Sequence, residues 1–199
     1  MKHIDPRQLK SKGKLHKAYF TLQLKGQDQF SIQQLCDAAE VTRPTFYKLY
    51  KDIQELRIDI HESILAELKE ALTIKNPRPL SKTPKKEMPE NLRLLFQHIQ
   101  IKHIAYETFF VYQPDAIFIN GVKEIIKQYV TDGIQSSQSQ DKMLRVKIEL
   151  IISYVTGAYI ESIIFWIKEN YEISPEEMAN NLIEISLYGP YIEQPTIEG

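Results

Sequence analysis

One cysteine, Cys36, stands in a chain of 199 residues, which excludes an internal disulfide framework and a cysteine-cluster zinc site and points to reducing, intracellular surroundings. Only 7 glycines are present, and no run shows sustained period-two alternation, so a strand-rich fold is not expected. Met1 to Lys17 carry six Lys/Arg and no apolar run, so no secretory signal is expected there and the expected location is cytoplasmic. Neither a phosphate-cradling glycine loop nor a nucleophile motif occurs. The nearest approach to a chemical cluster is His98, His103 and Glu107. At helical spacing His103 and Glu107 share a face while His98 points elsewhere, a poor metal geometry. The expectation is therefore no enzyme, no metal and no cofactor.

What the chain does have is 43% hydrophobic content, enough for a sizeable core, and an uneven distribution of charge. The net charge of -1 hides a split: residues 1–51 hold ten Lys/Arg against four Asp/Glu, a surplus of +6, and the remainder sums to -7. A basic head on an acidic body suits a modular nucleic-acid binder, because phosphate neutralisation belongs only on the contacting face. The alternative is a merely solvated basic terminus.

Apolar residues three and four apart recur along the chain, and the fold class expected is all-α. A first helix spans Leu9 to Lys25 with Leu15, Ala18, Tyr19 and Leu22 on one stripe, and Gly26 ends it. Ser31 caps a short second helix, Ile32 to Ala39, which places Cys36 in the core. Thr42 caps a third, with Pro44 in its first turn and its end near Leu49 or Tyr50. A fourth runs from about Ile53 to Leu72 with Leu56, Ile60, Ile64 and Leu68 inward. Residues 73–89 hold four prolines and five basic residues and read as a loop. A fifth helix is expected from Glu90 to Tyr112, a sixth from Pro114, a polar connector at 136–139, a long seventh from Asp141 to Asn170, and an eighth opened by Ser174-Pro175.

Two short helices joined by a tight turn, the second opening Thr42-Arg43-Pro44-Thr45-Phe46-Tyr47-Lys48, have the layout of a helix-turn-helix reader. Arg43, Thr45 and Lys48 are suited to base edges and phosphates, and Tyr47 offers a hydroxyl to a phosphate. Phe46, at helical spacing from Leu49 and Tyr50, is the core member.

The stretch from Leu15 to Leu56 resembles the DNA-binding domain of the TetR family. The resemblance lies in Lys25-Gly26, Ser31-Ile32, Ala39-Glu40-Val41-Thr42, Thr45-Phe46-Tyr47, Tyr50 and Glu55-Leu56. It implies phosphate contacts from Ser31 and Tyr47 and base contacts from Arg43, Pro44 and Thr45. Two departures stand out. Glu40 occupies the usual turn glycine, and Ile53 replaces the usual lysine opening helix four, whose phosphate contact would pass to Lys51 or Lys48. Farther on, Tyr154-x-x-Gly157-Ala158 to Trp166 and Ile173 to Ala179 resemble the C-terminal domain of TetR proteins related to the dihydroxyacetone-kinase regulators.

This divides the chain into a helix-turn-helix domain at 1–52 and a helical effector-binding and dimerisation domain at 53–199. Ile148 to Ile167 is apolar around nearly the whole helix; Glu149, Glu161, Ser153, Thr156 and Ser162 weigh against a membrane span. A homodimer is expected, through Tyr159, Ile163, Trp166, Met178, Leu182 and Ile185, the alternative being a helix wrapped within one chain. Tyr106, Phe110, Phe118 and Tyr154 are the candidate lining of a small-molecule cavity. The function expected is a regulator, a repressor by preference, that binds an inverted-repeat operator in double-stranded DNA under control of a small-molecule effector or a partner protein. The rival is a co-regulator of the same fold that binds a partner protein and not DNA.

Overall fold

A computed structural model describes residues 5–26, 29–73, 90–137 and 144–190. The described residues form nine α-helices and one π turn, without a strand. The helices are α1 Pro6–Leu24, α2 Ile32–Ala39, α3 Arg43–Leu49, α4 Ile53–Leu72, α5 Glu90–Ile101, α6 His103–Glu107, α7 Ala116–Ser137, α8 Ile148–Lys168 and α9 Pro175–Tyr188. The π turn spans Thr108–Tyr112, between α6 and α7. The all-α class expected from the periodicity is the one observed. The loop expected at 73–89 lies, from residue 74 onward, outside the described residues, as does most of the connector after Ser137.

Two compact units emerge from the packing: Met1–Glu67 with Lys102–Gly121, and Leu68–Ile101 with Val122–Gly199. In the first, Leu15, Ala18, Tyr19 and Leu22 of α1 meet Leu35, Cys36 and Ala39 of α2, with Phe46, Tyr50, Leu56 and Ile60 completing the core. Its helices start where the sequence supplies caps. The Ser31 Oγ accepts from the Gln34 N–H at 3.2 Å while the Gln34 side chain accepts the Ser31 N–H at 2.8 Å, a reciprocal box. Thr42 caps α3 by accepting from the Thr45 N–H. Gly121 of α7 is where α4 comes close: a Cβ there would stand 2.5 Å from Leu65 Cδ1.

The fifth helix expected from Glu90 to Tyr112 is instead three elements. At Lys102 the backbone leaves helical geometry (φ -100, ψ 23) and a new helix starts from its carbonyl. Thr108 then donates its buried hydroxyl to the Ile104 carbonyl at 2.7 Å, a back-bond that loosens a helix. The Gln113 N–H reaches back five residues to the Thr108 carbonyl, the π register. The wider turn brings both Phe109 and Phe110 into the interior, where an α-helical register would turn successive side chains apart.

In the second unit, Leu92, Leu95, Phe96 and Ile99 of α5 are buried, as are Ile163, Trp166 and Ile167 of α8 and Met178, Ala179 and Leu182 of α9. Trp166 is central: Phe96 meets it edge-on at 5.2 Å, Tyr171 at 4.9 Å, and its indole N–H donates to the Ile173 carbonyl at 2.7 Å. The α8 to α9 turn places Asn170 and Tyr171 at φ 50 and 59, a left-handed pair that costs L-residues backbone energy and that the Trp166 contacts hold in place. α8 begins at Ile148, later than expected, with Lys147 before it. By length and composition it is apolar enough to cross a membrane, though a third of its most apolar stretch is buried within the chain.

Of the six residues expected at a dimer interface, five are buried within the single chain. Trp166 and Ile163 are fully enclosed by their own chain, and Tyr159, Met178 and Leu182 are also buried; Phe96 of α5 lies edge-on against Trp166. Ile185 alone is exposed. The outward face of α8 carries Leu150, Tyr154, Gly157, Ala158 and Phe165, with Ser153 and Glu161 also exposed among them.

Candidate nucleic-acid interface

The turn between α2 and α3 is made by Glu40 at φ 51, ψ 46, the left-handed shape that glycine adopts more cheaply. The Val41 N–H bonds the Cys36 carbonyl at 3.0 Å and the Glu40 N–H the Asp37 carbonyl at 3.2 Å, so α2 closes and the chain turns at once into α3. The strained residue therefore sits at the elbow that fixes the angle between the two helices.

α3 is two-faced. Phe46 is fully buried, edge-on to Tyr47 at 5.6 Å and near Tyr50 at 5.8 Å. Arg43, Pro44, Tyr47 and Lys48 are exposed and Thr45 half-buried, so the residues expected to meet DNA share the outward face. The Arg43 guanidinium stands 5.9 Å over the Tyr47 ring and 3.5 Å from its hydroxyl, which limits the rotamers either explores. Lys51 is also exposed, just beyond the end of the helix. Ser31 is exposed, but its hydroxyl bonds the Gln34 carboxamide at 3.0 Å, so its first duty is the cap.

Beside this face lies a groove of about 330 Å³ that sequence reading missed. Arg7, Lys10 and Lys14 of α1 border it on one side and Thr42 and Thr45 on the other. Lys14 pairs with Glu40 at 3.2 Å, whereas Arg7 and Lys10 are exposed. The signal that could have found them is the spacing of Arg7, Lys10 and Lys14, three and four apart on one helix face.

Behind α3 a hydrogen-bonded cluster ties the reader to α4. Asp59 accepts from Lys12 at 2.7 Å, from His16 at 2.9 Å and from the Tyr50 hydroxyl at 2.6 Å. Burial alone would raise the Asp59 pKa, but the bonds from Lys12, Tyr50 and His16 outweigh it and hold the carboxyl below its ordinary value. Burial likewise pushes His16 down, against the pull of Asp59, and drives Tyr50 far above the ordinary phenol range. α1, α3 and α4 are thus held in one register by polar bonds that survive only if all three stay together.

The candidate cavity residues are partly assembled. Tyr106, Phe110 and Phe118 meet one another with ring centres 5.5 to 6.0 Å apart, but they fill the space they share. Tyr154, the fourth residue expected there, is 75% exposed on α8. The large cavity of the first unit, about 580 Å³, is lined by other residues, among them Tyr19, Phe30, Arg57 and Phe109. Arg57 donates to Asp115 through Nε at 2.7 Å and also through Nη2, and Asp115 caps α7 by accepting from the Ile117 and Phe118 N–H groups. No group of three or more His, Cys, Asp or Glu suited to a metal ion occurs among the described residues.

The family model described as "Transcriptional regulator C-terminal region", of the TetR type, matches residues 86–187, just over half of the chain. The chain belongs to the TetR family of transcriptional regulators. Solved structures of similar fold include the dihydroxyacetone kinase operon activator DhaS, at 19% identity and a TM-score of 0.62, over 89% of this chain and 94% of that one. A TetR transcriptional regulator from Streptococcus agalactiae 2603V is similar at 15% identity and a TM-score of 0.63, over 90% and 94%. A putative fatty acid metabolism regulator from Clostridium perfringens is similar at 13% identity and a TM-score of 0.61, over 90% and 100%. No curated protein matches the chain. At these identities the structural likeness establishes the fold of this TetR-family chain, an N-terminal helix-turn-helix followed by an all-helical region. The C-terminal resemblance to the dihydroxyacetone-kinase regulators agrees with the family match and with the first of these neighbours. Family and neighbours are transcriptional regulators, a class that is generally not enzymatic.

Proposed function

We propose that this TetR-family regulator is a homodimeric, sequence-specific DNA-binding protein that reads an inverted repeat and represses transcription from it. The carrying observation is the two-faced α3: Phe46 locked inside, with Arg43, Pro44, Tyr47 and Lys48 outward beside the basic edge of α1. In this reading Arg43, Pro44 and Thr45 meet base edges in the major groove. Tyr47, Lys48, Lys51 and Ser31 meet phosphates, and Arg7 and Lys10 extend the phosphate contacts along α1. Residues 1–52 act as the reading head and 53–199 as the effector-binding and dimerisation part. TetR regulators bind operators and typically dimerise, and they are generally cytoplasmic, which supports the same reading of this chain.

The partner copy docks on the exposed face of α8, through Leu150, Tyr154 and Phe165, and the exposed Ile185 of α9 is a further apolar contact. Side chains this large and apolar, aligned on one helix and open to water, favour a covered state. An effector then controls the spacing of the two reading heads through its differential affinity for the two states. The test is selection from a random duplex library at two salt concentrations. An enriched inverted repeat whose retention drops steeply with salt is the expected result. Absence of enrichment at both would transfer the assignment to a co-regulator that binds a partner protein and not DNA.

A further inference from the structure

The cavity of about 580 Å³ in the first unit has the size of a small-molecule site and a wall chemistry that specifies its occupant. Its walls come from the end of α1, the segment leading into α2, the first turns of α4, and the π turn with the residues leading into α7. We propose that this cavity binds an uncharged polar molecule of monosaccharide to nucleoside size, with hydrogen-bond donors and acceptors along one edge and a flat apolar face.

The charge argument comes first. Among the described residues on the wall, Arg57 and Asp115 are the only ionic side chains, and they are bonded to each other through Nε and Nη2. The second Asp115 oxygen is occupied by the Ile117 and Phe118 N–H groups at 2.9 and 3.1 Å. A charged ligand would shed water and find no unmatched counter-charge, a loss that an uncharged one avoids. The polar wall is then carboxamide: Gln23, Gln29, Gln54 and Gln113 line it, and a carboxamide carries both donor and acceptor atoms. The Arg57 N–H groups not used on Asp115 suit a carbonyl or hydroxyl oxygen. The flat face is called for by Tyr19, Phe30 and Phe109. Tyr19 and Phe30 meet edge-on at 5.6 Å, and Phe109 lies 6.4 Å from Tyr19. Phe109 belongs to the π turn and Gln113 closes it, and π segments recur where a helix serves a site.

An occupant would touch α1 and the entry to α2 on one side and α4 with the π turn on the other, so it would bias how the reader is held. This control role rests on the DNA-reading function proposed above; binding itself does not. The test is thermal unfolding of the full chain, without DNA, in millimolar adenosine, nicotinamide or D-glucose, with acetate and spermidine as charged comparators. At least one uncharged probe is expected to raise Tm by about 2–4 °C when present at about five times its Kd, and neither charged probe to do so. Gln54→Trp, which fills the cavity from an exposed position on α4, should abolish the shift, and Gln29→Trp should do the same without touching a helix. No shift with any uncharged probe, an equal shift with a charged one, or a shift that persists in both variants overturns the proposal. The active probe is then added to a duplex-binding assay, where roughly a 5-fold or greater change in affinity is expected. Unchanged affinity overturns the control role. A protein that binds no duplex in any condition overturns the DNA reading and leaves the thermal result standing.

Discussion

Arg43 and Lys48 are both exposed cations on α3, yet their surroundings assign them different work. Arg43 is braced over Tyr47, and a braced guanidinium presents its fork in a fixed direction, as bidentate reading of guanine requires. Lys48 is an exposed point charge at the far end of the helix. Arg43→Ala should therefore cost about 1–3 kcal/mol at one operator position and relax preference there. Lys48→Ala should weaken binding to all sequences alike and lower the slope of log affinity against log salt by about one. Titration of both variants on an operator and on a scrambled duplex separates the roles; equal losses on both duplexes for Arg43→Ala would deny it base reading. A second residue-scale consequence concerns acid. His61 is buried between Phe109 and Phe118, with ring centres at 4.7 and 5.3 Å, and faces Asp115 and Arg57. Burial lowers its pKa from the ordinary 6.5, outweighing the pull of Asp115. The unfolded chain then binds the proton more readily than the folded one, so stability is full above about pH 6.5 and falls as pH drops below it towards the folded pKa. His16 adds in the same direction. Urea unfolding at successive pH values should show this decline, and His61→Phe should make it shallower; an unchanged slope would show that His61 does not carry the effect.

At the scale of the element, the α2 to α3 elbow stores strain that one substitution releases. Glu40 holds φ 51 where an L-residue pays roughly 1–2 kcal/mol and glycine does not. Its ion pair with Lys14 is exposed and offsets little. Glu40→Gly should stabilise the fold by about 1 kcal/mol in urea unfolding, and destabilisation would mean that the ion pair outweighs the strain. The α8 to α9 turn offers the converse case. Trp166→Phe keeps most of the ring packing but leaves the Ile173 carbonyl without its donor, a loss of about 1–3 kcal/mol that should appear in unfolding midpoints. These two turns also show what was legible in the sequence. The Glu40 strain was readable because the flanking Ala39, Val41 and Thr42 match a pattern whose middle is glycine. α1, α2 and α4 were readable because Leu15 to Leu22, Leu35 to Ala39 and Leu56 to Leu68 repeat at helical spacing and are buried accordingly. The break at Lys102 and the π turn were not, since apolar spacing continues through both and only the Thr108 back-bond and the five-residue register betray them. The Trp166 bond to Ile173 was hidden too, because periodicity says nothing about which carbonyl a buried indole will find.

For the whole molecule, the decisive feature is that α8 is apolar around nearly its whole circumference, Glu149 and Glu161 aside, while its own chain covers only part of it. Sequence identifies such a helix but cannot say which face its own chain covers; burial does, leaving Tyr154 at 75% and Phe165 at 53% exposed. Two readers must be held roughly 34–36 Å apart to enter successive major grooves, and a helix-to-helix contact between copies is the means of setting that distance. If the α8 face is that contact, Tyr154→Arg with Phe165→Glu should yield a monomer by sedimentation equilibrium. Both positions point to water in the single chain, so its unfolding midpoint in the monomeric form should change little. Operator binding should then fall towards the affinity of a single half-site while nonspecific binding, carried by each basic head alone, persists per head. A double variant that stays dimeric would move the interface elsewhere. A monomer that still binds the full inverted repeat as tightly as the parent would mean that the two heads are not coupled through α8 at all.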